Sequence, residues 1–187
     1  MKFMKIKQYV GLTVMLAMIA LGHGSVTLAV SKGDLPPAPV LPAGCEQLAL
    51  PDGHRVAHRV YALGVQIYRW NGMAWSFVGP EANLYADEGF HGKIGTHYSG
   101  PTWETNSGSF VIADPSSAIP CTPDPNGVAW LRLTAANSRG PGILSGVTYI
   151  HRLNTSGGLR PTLPGVFVDE IKRVPYTTEY YFYKAEN

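Results

Sequence analysis

Glycine and proline recur so regularly along this chain that long helices have nowhere to form. After Ala29, 33 of 158 residues are one or the other, set between short runs of β-branched and aromatic residues. In a helix interior each costs about 1 to 3 kcal/mol relative to alanine; between strands they supply turns. No twelve-residue window in that stretch shows a 3.6-residue apolar period bounded by caps. The pattern predicts an all-β fold: a single-domain antiparallel β-barrel or β-sandwich of roughly 8–10 strands. The candidate strands are 55–62, 64–70, 73–78, 81–86, 93–98, 108–113, 128–135, 145–153 and 176–184.

One hairpin is legible in detail. Asn71-Gly72 accepts the positive φ angles of a type I′ turn and has apolar runs on both sides. A two-residue turn sets Trp70 opposite Met73, Tyr68 opposite Trp75 and Gln66 opposite Phe77. Alternation then gathers Tyr68, Trp70, Met73, Trp75 and Phe77 on one face. Covered, such a face is core, because aromatics are large apolar payloads. Uncovered, it is a stacking platform for a flat ligand such as a sugar ring, with Gln66 as a polar neighbour. The run Tyr176 to Tyr183 carries aromatics on both faces and reads as a central strand packed on one side.

The N-terminus reads as an address. Lys2, Lys5 and Lys7 precede an apolar run of thirteen residues, Tyr9 to Leu21, and a small-residue exit ending Thr27-Leu28-Ala29. That order describes a secretory signal peptide over 1–29 with cleavage after Ala29. Thirteen helical residues span roughly 20 Å, short of a bilayer core of about 30 Å, so no stable membrane span is expected after cleavage. Three lysines leave with the signal: 15 Lys+Arg become 12 against 13 Asp+Glu, and the formal charge moves from +2 to −1. No basic cluster remains for phosphates, which argues against nucleic acid as a partner. Residues 30–44 carry four prolines and read as a solvated linker; 45–187 then form one β-rich domain. Cys45 and Cys121 are the only cysteines, and in a secreted or periplasmic chain they are expected to pair.

The densest polar stretch is DEGFHGKIGTHYSGPTWE, 87–104. His91, His97 and Glu104 are the residue types of a zinc or copper site. Their spacing matches no sharp signature, and on one straight strand the two histidines would stand about 20 Å apart. His54 and His58 could join only if the fold brought them near. Asp87 or Glu88 with Glu104 forms a chance carboxylate pair of the kind glycosidases use. No nucleophile elbow or phosphate loop is present after Ala29, so no catalytic motif is assembled and no cofactor is required. Asn154-Thr155-Ser156 fits a glycosylation acceptor.

Four stretches form a recognisable set: GVQIYRWNGMAWSFVGPEANLYAD (64–87), HGKIGTHYSGPTWETNSGSFV (91–111), GVTYIHRLNTSGGLRP (146–161) and VPYTTEYYFYKAE (174–186). Together they resemble the secreted family catalogued as domain of unknown function 3455, over about 42–186. The resemblance implies an exported single β-rich domain and carries no catalytic residue across. Many members place a cysteine where this chain has Trp70, whereas Cys121 resembles one found in a subgroup.

The expectation from these features is an exported binding or structural module for a polysaccharide or another cell-envelope component. Gln66, Tyr68, Trp70 and Trp75 are its candidate contacts. The alternative is a metal-dependent enzyme using His91, His97 and Glu104.

Overall fold

Alternating inward and outward side chains run through a single sheet that closes on itself. The computed structural model describes residues 35–186, which lie within one compact unit, Ser31–Asn187. The expected signal peptide and its cleavage point fall outside the described residues. Eight strands follow in order: β1 (His54–Trp70), β2 (Trp75–Tyr85), β3 (Lys93–Tyr98), β4 (Thr102–Thr105), β5 (Phe110–Cys121), β6 (Trp130–Arg139), β7 (Tyr149–Gly157) and β8 (Ile171–Ala185). Each pairs antiparallel with the next, and β8 pairs with β1 from Arg69↔Ile171 to His54↔Ala185, which completes the ring. One closed sheet therefore replaces the two stacked sheets of a sandwich. Closure also removes the unpaired edges an open sheet must protect. Among the described residues no helix is long and apolar enough to cross a membrane.

Several boundaries differ from the sequence expectation, each for a local reason. The segments 55–62 and 64–70 are one strand, because Gly64 lets β2 pass close. A Cβ there would collide with Glu81 and Ala82. The segments 73–78 and 81–86 likewise merge into β2, which runs through Gly79-Pro80 with a bulge at Val78. Strand β4 was not foreseen; four residues are too few for a periodic signal.

The hairpin turn is two residues longer than expected. Asn71 Oδ1 accepts hydrogen bonds from the Met73 and Ala74 amides at 2.9 and 2.8 Å, and the Asn71 amide donates to Ala74 O at 3.0 Å. The asparagine side chain thus builds a turn over 71–74. Trp70 now pairs with Trp75 and Tyr68 with Phe77.

Apolar burial occurs in two layers. Inside the ring, Val60, Ala62, Leu84, Trp103, Ile150 and Phe182 belong to one cluster. Outside it, Cys45 and Leu48 from the segment before β1 pack on Val56, Leu153, Tyr181 and Tyr183. Leu41, near the end of the stretch read as a solvated linker, joins this outer layer. A disulfide from Cys45 to Cys121 at the end of β5 pins the strap in place, as the cysteine count predicts. Strand β8 is therefore covered on both faces rather than one: Tyr176, Tyr180 and Phe182 point inward, Tyr181 and Tyr183 outward under the strap.

Candidate binding site in the ring interior

The inner layer does not fill the ring. A cavity of about 150 Å³ remains, and all eight strands contribute to its wall. Phe77 and Pro80 of β2, Pro115 and Ala118 of β5, and Leu131 and Leu133 of β6 make most of it apolar. Phe77 is 52% exposed, which puts it at the rim. The polar contributions come from Gln66 (β1), His97 (β3), Trp103 (β4), Arg152 (β7) and Tyr180 (β8).

Cross-strand register explains why these five meet. Arg152 is opposite Leu131 on one side and Tyr180 on the other, and His97 is opposite Trp103. Paired residues share a face, so a single inward position in each strand recruits the next around the ring. The His97 and Trp103 rings stack with centroids 4.3 Å apart and planes 9° apart, and Tyr180 meets both edge-on at 5.1 Å.

The hydrogen bonding of this group is incomplete. Gln66 and Trp103 are each 1% exposed, yet Gln66 Nε2 and Trp103 Nε1 have no partner. Leaving such a group buried and unpaired costs about 1–3 kcal/mol. A third unpaired indole nitrogen, that of Trp130, belongs to the outer layer. Arg152 Nε and Nη2 both donate to Ala129 O, at 3.1 and 2.7 Å. No Asp or Glu pairs with this guanidinium among the described residues.

Burial keeps the titratable neighbours neutral. It depresses His97 to about 3, against a weaker upward pull from the bond that Nδ1 donates to Thr102 O at 2.8 Å. Burial likewise raises Tyr180, although the Arg152 charge and the nearby Tyr176 hydroxyl and Trp103 indole all favour its anion.

A wider depression of about 450 Å³ lies between β1, β2 and β3, lined by Leu63, Asn83 and Tyr98. Its charged residues, Arg173 and Glu81, already pair at 2.6 Å. Two of the three unpaired buried side-chain nitrogens of the described residues, those of Gln66 and Trp103, belong to the wall of the interior cavity.

The residues singled out from the sequence are distributed differently. Gln66 lines the cavity. Tyr68 and Trp75 share the inward aromatic face but are only 5% and 3% exposed. The segment after β7 covers them: the Tyr68 hydroxyl donates to Gly158 O at 2.7 Å and Trp75 Nε1 to Leu163 O at 2.8 Å. Trp70 is half-buried, and Gly165 packs against its ring so closely that a Cβ there would touch it. A sugar ring has no free platform at Tyr68 and Trp75.

The proposed metal ligands do not converge either. His91 is exposed in a turn, where its Nδ1 lies 3.1 Å from Asp87 Oδ1. His97 points inward, while Glu104 pairs with Thr96 on the outer face and accepts from the Tyr98 hydroxyl at 2.8 Å. Strand alternation separates them. Among the described residues no three His, Cys, Asp or Glu side chains are grouped to hold a metal ion. His58 faces inward with Val60, and a bulge at Ala57 puts Val56 on the opposite side.

Trp103, Arg152 and Tyr180 escaped the sequence reading. A signal existed for Arg152: it alternates with Ile150, an apolar position, and a charge on the inward rows of a strand is unusual.

The model of the family described as Protein of unknown function (DUF3455) matches residues 51–184. The chain belongs to this family. The match begins just before β1 and ends one residue short of the end of β8, so this DUF3455 domain is the closed ring itself. Cys45 and the 3-10 turn Glu46–Leu48 lie outside it, although they complete the outer layer. Neither a curated protein nor a solved structure matches the chain. The Cys45–Cys121 bridge points to an oxidising, extracytoplasmic environment.

Proposed function

We propose that this domain is a secreted or periplasmic binding module that takes a small ligand into the ring interior. The observation that carries the reading is the pair of unpaired donors, Gln66 Nε2 and Trp103 Nε1, in the wall of one mostly apolar cavity. Small-molecule sites combine apolar walls with a few convergent polar groups, and a partner supplied by a ligand would remove the penalty of burying these two. Support for the compartment comes from the disulfide and from the residue order at the N-terminus. Among the described residues the cavity wall holds no carboxylate, hydroxyl or thiol of Asp, Glu, Ser, Thr or Cys, and the reading is therefore of binding.

The direct test follows tryptophan emission while the purified protein is titrated with a panel of small aromatic and aliphatic compounds. A saturable change that disappears in Trp103→Phe is the expected result. Crystals showing water alone against both donors, together with no response across the panel, would remove this reading.

A further inference from the structure

We infer that the interior site is built for an anion: a small carboxylate carrying a compact apolar or aromatic body. The inference rests on the binding reading above and names the class of ligand.

Charge supplies the first reason. Among the described residues of the cavity wall Arg152 alone is charged at neutral pH, and no carboxylate of the described residues forms an ion pair with it. Its influence reaches His97, Tyr176 and Tyr180, each of which is pushed toward the more negative form by this guanidinium. Arg152 is half-buried, and a cation partly withdrawn from water without a counter-ion keeps part of its desolvation cost. Two of its donors are spent on Ala129 O and the guanidinium also acts on the Tyr180 hydroxyl; with five N–H donors in all, the side chain has capacity left for a ligand.

Donor chemistry supplies the second reason. Trp103 Nε1 is a donor with no acceptor capacity, and Gln66 Nε2 is a donor as well. A group that accepts at several points and carries negative charge satisfies all three side chains at once; an ionised carboxylate does so. An amine or amidine would meet the guanidinium with like charge.

Size and lining supply the third. A cavity of about 150 Å³ with apolar walls is of the size that holds a benzene ring. Phe77, Pro80, Pro115 and Leu131 offer that surface. Inorganic phosphate or sulfate would leave those walls unused, so the fit is to a benzoate-like body with its carboxylate toward Arg152 and Trp103.

An isosteric series tests this without altering the protein. Benzoate, benzamide and benzamidine share one planar shape and differ in charge and donor pattern. Calorimetric titration of the mature protein at pH 7 should show benzoate binding at least tenfold tighter than benzamide, with benzamidine weakest and phosphate silent. Arg152→Gln should abolish the benzoate preference, and Arg152→Lys should restore part of it; circular dichroism checks that both remain folded. Equal affinities, or a preference for benzamidine, would overturn the carboxylate assignment while leaving the cavity a binding site. Failure of every member to bind, in a wild-type protein that carries no small molecule by native mass spectrometry, would overturn both readings.

Discussion

The two faces of the sheet are finished differently. His97 inside and His151 outside show the contrast, because both rings are buried, at 3% and 2% exposure. Outside, both nitrogens of His151 are engaged: Nε2 with Leu48 O at 2.8 Å, and Nδ1 with the Tyr183 hydroxyl at 2.9 Å. The ring bridges the strap to the sheet, and Gln47 adds a bond to Pro120 O at 3.1 Å. Inside, His97 Nδ1 is bonded to Thr102 O, but its neighbours Gln66 and Trp103 keep idle donors and Arg152 lacks a counter-ion. The outer layer leaves one indole nitrogen, that of Trp130, unpaired, whereas the inner layer leaves two donors unpaired beside an unbalanced guanidinium.

Acid should break both layers, and by the largest margin. Burial lowers His97 to about 3 and His151 to about 4, below the 6.5 of an ordinary histidine. Above pH 6.5 both rings are neutral folded or unfolded, and the full stability is present. As pH falls below 6.5 the unfolded chain takes up protons first, so stability drains until each folded ring titrates. By pH 4 the loss is on the order of 3 kcal/mol per histidine. Urea unfolding at pH 7, 5.5 and 4 measures it, and His151→Gln should make the dependence shallower by removing the outer share.

Opening the disulfide should separate the layers. Reduction, or Cys45→Ala with Cys121→Ala, removes a cross-link that encloses a 76-residue separation, worth about 4 kcal/mol. The midpoint of thermal unfolding should fall, while ligand affinity well below that midpoint stays unchanged. A parallel loss of affinity in the folded protein would show that the strap shapes the cavity.

Smaller changes sharpen the contrast further. Leu48 is fully buried in the outer layer, and Leu48→Ala should cost about 3 kcal/mol through the cavity it leaves, again without touching binding. Arg152→Met should do the opposite. Replacing an unbalanced, half-buried cation by an apolar side chain should leave stability unchanged or raise it by about 1 kcal/mol, and benzoate binding should vanish. Chemical denaturation and calorimetry on the same samples check both.

Much of this architecture could be read before any coordinates. Strand β3 falls on 93–98 as expected, and the hairpin around Asn71-Gly72 does bring Tyr68, Trp70, Trp75 and Phe77 together. Local chemistry decided those features. The turn length did not follow from the Asn-Gly pair, because the Asn71 side chain competes for the same amides. Similarly, His91, His97 and Glu104 are close in the sequence but a turn and a strand's alternation send them to different places. Gln66 was singled out for the hairpin face and proved to serve the interior, since alternation along β1 carries that face into the ring.

Composition and punctuation alone therefore determined the class: an all-β domain, with two cysteines to join in an oxidising compartment. Turn residues and alternation act over a few positions, so they are written in consecutive letters. Ring closure decided everything that depends on distant strands meeting. Arg152, Trp103, Gln66 and Tyr180 come from four strands, and only the pairing of β8 with β1 encloses them in one wall. The unpaired donors, and the charge beside them, acquire chemical meaning only in that enclosure, where each missing partner has a free-energy cost.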